Sequence, residues 1–172
     1  MKKYLVGIAL ALITTGAMAV DGYKGVKFGS SYSTLKKANL CSFKPYSSPV
    51  DIKGFSAYEC SDFIFSGRKN NAAVSFIDNK FQQLIINFDG ETMPLLEALR
   101  DKYGVPSSST PTDVMKRAAQ TGEPVIIKFD HDTVIVRYEN SNGKDKTTLI
   151  YAASDYEKRV NSLLKKSVSD DI

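Results

Sequence analysis

His131 is the only histidine in the 172-residue chain, and it stands between Asp130 and Asp132. A carboxylate beside an imidazole is the orienter–base pair of nucleophilic catalysis, provided that a hydroxyl or thiol lies within reach. No Gly-x-Ser-x-Gly elbow or comparable nucleophile signature accompanies it. Asp-His-Asp between two apolar runs reads instead as a hairpin turn, where both residue types occur for local backbone reasons. As metal ligands the three make a weak set, because adjacent strand residues point to opposite faces. Glu59, Asp62, Asp89, Glu91 and Glu97 could supply carboxylates for glycosidase-type acid–base work, but no spacing singles out a pair. Gly22, Gly25 and Gly29 have neither the spacing nor the Lys-Ser/Thr ending of a phosphate-cradling loop. The motifs therefore point to no catalytic residue, metal site or cofactor.

The two cysteines, Cys41 and Cys60, carry more. Lys2 and Lys3 precede an apolar run over residues 5–13, followed by Ala17-Met18-Ala19. This is the pattern of a removable export signal over residues 1–19, with Val20 as the first residue of the processed chain. The run is shorter than the ~20 apolar residues a membrane span needs. No cysteine occurs before Cys41, so none stands at the cleavage point to take a lipid. The expected location is periplasmic or secreted, without stable membrane insertion once the signal is removed. In such an oxidising compartment Cys41 and Cys60 are expected to pair, and closing a loop of that length stabilises by roughly 3 kcal/mol.

Removing Lys2 and Lys3 lowers the basic residues from 23 to 21 against 19 acidic ones, and the net charge from +4 to +2. The remaining basic pairs, Lys36-Lys37, Arg68-Lys69, Lys116-Arg117 and Lys165-Lys166, are scattered along the chain. Nucleic-acid binders concentrate such charge on one face, so no nucleic-acid partner is expected.

The elements that must position any site centre on residues 72–106. Val74 and Phe76, then Phe81, Leu84, Ile86 and Phe88, mark two strands about a turn at Asp78-Asn79-Lys80. Thr92 is placed to cap a following helix whose face carries Leu95, Leu96, Leu99 and Tyr103, and Gly104 and Pro106 end it. Before this unit come a strand over residues 23–28, a short helix capped by Ser30 or Ser31, and a strand over residues 63–65. Residues 66–71 read as an exposed turn. After the unit, residues 107–110 look like a linker, Thr110 and Asp113 frame a helix start, and strands are expected over 125–129, 133–138 and 147–152. Ser154 and Glu157 frame a last helix bearing Tyr156, Val160, Leu163 and Leu164. The fold class is α+β: a two-layer sandwich of mostly antiparallel sheet with helices on one face, in two weakly duplicated halves. A single domain spans residues 20–166, and residues 167–172 form a frayed tail.

Two stretches resemble a known style of domain. Gly-Val-Lys-Phe-Gly-Ser-Ser-Tyr-Ser-Thr-Leu-Lys-Lys (residues 25–37) is similar to the strand, Phe-Gly turn and short helix that open many small periplasmic α/β proteins. Leu-Arg-Asp-Lys-Tyr-Gly-Val-Pro (residues 99–106) is similar to their helix exit. β-lactamase-inhibitor-like and related envelope-assembly domains share this style. Those domains usually carry methionine after the glycine and an acid before the helical aliphatic, where this chain has Ser30 and Thr34. The resemblance implies a binding or assembly role and carries over no functional residue.

The expected function is an exported, non-catalytic binding module (an inhibitor, immunity-like or envelope-assembly protein) whose partner is another protein of the cell envelope. The alternative is a hydrolase of cell-wall or peptide substrates with a site assembled from scattered residues. The cysteine-bounded loop, with Phe43, Tyr46, Phe55 and Tyr58 among Ser, Pro and Gly, has the composition of an adaptable recognition loop. Tyr46, Phe55 and Tyr58 are its candidate contact residues, and Phe43 its expected core member.

Overall fold

The computed structural model describes residues 19–47, 52–141 and 144–170. The signal segment lies outside these residues except for Ala19, as do Asn142-Gly143 and the tip of the cysteine-bounded loop. The elements in chain order are β1 (Gly22–Tyr23), β2 (Val26–Lys27), α1 (Tyr32–Lys37), β3 (Lys44–Pro45), β4 (Phe55–Phe65), β5 (Arg68–Ile77), β6 (Lys80–Phe88) and α2 (Thr92–Tyr103). Then follow β7 (Ser108–Ser109), α3 (Thr112–Thr121), β8 (Val125–Phe129), β9 (Val134–Ser141), β10 (Lys144–Ala152) and α4 (Tyr156–Asp170).

The fold is α+β. One 8-stranded antiparallel sheet runs β3-β4-β5-β6-β10-β9-β8-β7, and β1 and β2 form a separate 2-stranded hairpin. The large sheet consists of two four-stranded meanders that meet where β6 pairs with β10. Tight turns set the registers. Ser66-Gly67 joins β4 to β5 and Asp78-Asn79 joins β5 to β6, and all four residues have positive φ. Two such residues in succession give a turn whose twist matches that of the strands it connects.

Period-2 alternation then fills one face. Val74, Phe76, Leu84, Ile86, Leu149, Tyr151, Val134 and Val136 are buried there in one cluster. Tyr23 of β1, Val26 of β2, Leu35 of α1, and Leu95 and Leu99 of α2 cover it. Each fully buried side chain of this size contributes about 1.5–3 kcal/mol. Cys41 and Cys60 are joined as a disulfide at this margin, and Phe43 packs against the core from the same segment.

Several elements differ from the sequence reading. The expected first strand is a small hairpin, because Lys24 and Gly25 turn with φ of 44° and 83°. Arg68 to Asn71 belong to β5, so the exposed turn there shrinks to Ser66-Gly67. The linker-like serines form β7, an edge strand whose pairing to β8 is main-chain only and leaves no side-chain pattern. Thr92 and Thr110 do not cap their helices. The Thr92 hydroxyl bonds that of Thr147 (2.6 Å), and the Thr110 hydroxyl accepts from the Ile126 amide (2.8 Å). Helix α4 continues to Asp170, past the expected end at Lys166.

Unlike α1 and α2, helix α4 lies on the reverse face of the sheet, so the helices do not all share one face. Tyr156 and Glu157 border a groove there with Ile126, Ile135 and Ile150, and Leu163 lies near Gly54 and Ile77. The isoleucines at 85, 126, 135 and 150 alternate with the core residues, so this face carries an apolar band that needs cover.

Candidate functional site

Registers place one row of residues straight across the reverse face. Glu59 is opposite Ala73, Ala73 opposite Ile85, Ile85 opposite Ile150, Ile150 opposite Ile135, and Ile135 opposite Lys128. Its middle is apolar and its two ends are charged. The next row, Asn71, Asn87, Thr148, Arg137 and Ile126, is mostly polar. All four isoleucines are only half-buried, which is unusual for the centre of a wide sheet.

Helix α4 does not close this face. On one side of it, Ile126, Ile135, Ile150 and Ala152 floor a groove of about 470 Å³ whose walls include Lys128, Arg137, His131 and Glu157. On the other side, a wider hollow of about 710 Å³ lies between Lys53, Ile77, Asp78 and the Arg159–Leu163–Lys166 side of the helix. Both fall in the size range of small-molecule and peptide pockets.

The groove's charges are partly engaged. Lys128 Nζ is 3.5 Å from Asp132 Oδ2, and Arg137 donates to Glu139 Oε2 at 3.2 Å. Arg137 is 46% exposed and lines the groove beside the isoleucine floor. Asp132 also accepts from the hydroxyls of Ser107 (2.5 Å) and Ser108 (3.0 Å). The Ser107 bond is the main reason its carboxyl is held below the usual range.

The residues singled out in the sequence are dispersed. Asp130, His131 and Asp132 form the β8–β9 turn, all three with positive φ, which is turn geometry as expected. His131 is largely exposed, its Nδ1 lies 3.6 Å from Asp130 Oδ1, and among the described residues no hydroxyl is hydrogen-bonded to it. Asp62 is held by Ser42, through its hydroxyl (2.7 Å) and its amide (2.9 Å). Glu59 is exposed on β4, Asp89 and Glu91 lie in the β6–α2 connection, and Glu97 is on the exposed side of α2. The Cys41, Cys60 and Asp62 donors lie close together, but the two sulfurs are bonded to each other and leave one carboxylate.

The three contact candidates of the cysteine-bounded loop separate. Tyr46 is 49% exposed just beyond β3. Tyr58 is stacked on Tyr32 and meets Phe76 edge-on, and Phe55 is half-buried at the start of β4. The sequence reading missed the reverse-face row. Its signal was present in the triplets Leu84-Ile85-Ile86, Val125-Ile126-Ile127, Val134-Ile135-Val136 and Leu149-Ile150-Tyr151, which are apolar on both faces.

A family described as "Uncharacterised protein" matches residues 23–171. An "Uncharacterized protein" of Haemophilus influenzae is 29% identical over 176 aligned residues, covering 100% of this chain and 99% of the relative. No solved structure matches the chain. Among the described residues, no helix is long and apolar enough to cross a membrane.

Proposed function

We propose that this chain, which belongs to the family matched over residues 23–171, is an exported, non-catalytic binding module that acts through protein–protein contact in the cell envelope. The observation that carries the reading is the half-covered isoleucine row of the reverse face, set in a groove beside α4. Aliphatic floor with charge at its margin is the make-up of a recognition site, in which apolar contact gives affinity and polar groups fix orientation. The partner segment that fits is one with an apolar side chain next to a carboxylate: the first on Ile135 and Ile150, the second on the half-exposed guanidinium of Arg137.

Export is part of the same proposal. The signal-like residues 1–19 and the Cys41–Cys60 disulfide both suit an oxidising compartment. The resemblance to β-lactamase-inhibitor-like and envelope-assembly domains points the same way by analogy.

The test is crosslinking of the processed, oxidised protein in its native envelope, followed by quantitative binding of the identified partner. Ile135→Lys and Arg137→Glu should each weaken that binding tenfold or more with an unchanged melting temperature. A partner that binds both variants as tightly as the native protein would remove the groove from the proposal. Turnover of a peptide or cell-wall substrate by the purified protein would replace it with a hydrolase.

A further inference from the structure

Asp130 is doing something that the turn alone does not require. Its side chain is only 10% exposed, whereas its neighbour His131 is 66% exposed. Its Oδ2 accepts from the backbone nitrogen of Val20 at 2.5 Å, across 110 residues of sequence. The Thr133 hydroxyl, itself buried, donates to the Asp130 carbonyl (2.6 Å) and approaches the same Oδ2 (3.3 Å). Val20 is half-buried and packs against the core cluster. The chain just after it is pinned by the Phe28 amide donating to the Asp21 carbonyl (2.7 Å) and by the Lys27–Asp21 ion pair (2.8 Å).

Val20 is also the residue that follows Ala17-Met18-Ala19. We infer that signal removal creates the cation that Asp130 is built to receive: the α-ammonium of Val20 docks on the Asp130 carboxylate as a largely buried ion pair. The inference rests on the export reading above. The chemistry is hydrolysis of the Ala19–Val20 amide by the leader-removing peptidase of the export pathway. Water supplies the oxygen that completes the Ala19 carboxylate, and the released Val20 amine takes up a proton. Before cleavage Val20 offers one neutral N–H. Afterwards it offers a charged donor, and a charge-assisted hydrogen bond is about twice as strong as a neutral one. A carboxylate so little exposed is costly without a cation and well placed with one. Processing therefore tightens the fold at the junction of β1 with the β8–β9 turn, and the finished fold is stabilised by the loss of its own leader.

The experiment expresses the full chain with its own signal and recovers it from the bacterial envelope. Intact mass comes first: a chain beginning at Val20 supports the processing step, and one beginning elsewhere overturns it and the pair with it. The α-amine is then acylated at neutral pH and followed in the N-terminal peptide. An ion-paired amine reacts slowly, so Asp130→Asn should speed the reaction tenfold or more. Equal rates would overturn the ion pair while leaving the export reading intact. Where Asp130→Asn does not fold, a glycine inserted ahead of Val20 moves the amine outward and keeps the carboxylate. That variant should show the same faster acylation and a melting temperature lower by about 5 °C. Unchanged values in it would overturn the pair equally.

Discussion

The ring of Tyr58 lies flat on that of Tyr32, with centroids 3.9 Å apart and planes 12° from parallel. Phe76 meets both rings edge-on, at 5.8 Å and 5.6 Å, so helix α1, strand β4 and strand β5 share one aromatic joint. Tyr58→Ala should lower stability by about 3 kcal/mol, the scale for removing a packed ring. Tyr46→Ala, at an exposed ring, should leave the melting temperature within a degree or so. Thermal melts of the two variants check this, and equal shifts would contradict the contrast in packing.

The Cys41–Cys60 bridge ties the segment before β3 to the middle of β4. Reduction, or replacement of both cysteines by serine, should cost about 2–4 kcal/mol. Urea unfolding with and without reductant measures it. A midpoint that does not move would mean that β3 and the aromatic joint hold the segment unaided.

Asn70 is buried on β5 and uses its whole amide. Its Nδ2 donates to the carbonyls of Phe65 (3.2 Å) and Arg68 (2.9 Å), and its Oδ1 accepts from the Asp89 amide (2.9 Å). One side chain thus clamps the β4–β5 turn to the exit of β6. Asn70→Ala strands buried main-chain groups and should destabilise by about 2–3 kcal/mol. Asn70→Asp keeps the acceptor but loses both donors, so it should rescue little. Chemical denaturation of the pair decides between these outcomes.

Asp62 and Asp132 both have carboxyls held below the usual range, chiefly by hydrogen bonds from Ser42 and from Ser107 respectively. A lowered folded value means stability that is complete above the unfolded carboxyl's range, near pH 4, and is lost as pH falls through the lowered values. Melting temperature should therefore decline below about pH 4. Ser107→Ala and Ser42→Ala should each flatten that decline, which melts across the acid range would show. An unchanged slope in both variants would assign acid sensitivity to other groups.

Much of the central sheet was legible in the sequence, because Val74 and Phe76 alternate before the Asp78-Asn79 turn and Leu84 and Ile86 alternate after it, beyond a bulge between Phe81 and Gln83. The reverse face was not, because attention to one alternating set hides a second: Ile85 sits between Leu84 and Ile86 and belongs to the opposite row. The two threonines expected as helix caps were misread because their hydroxyls have tertiary partners, Thr147 and the Ile126 amide, that local sequence does not reveal. Tyr58 and Tyr46 look alike by local composition, and only the stacking on Tyr32 separates them. The contact of Val20 with Asp130 spans most of the chain and has no local signature at all.

The large sheet ends on both sides in strands of two residues, Lys44–Pro45 and Ser108–Ser109. A broad antiparallel sheet with long free margins would be a template on which further copies could add strand by strand. Here each outermost strand is itself too short to template such growth, although β4 runs on past its two pairs with β3, and on that side the outermost strand carries a lysine and a proline, the two residues that most discourage it. Short outermost strands, one of them bearing a lysine and a proline, thus disfavour strand-by-strand addition of further copies at these two margins.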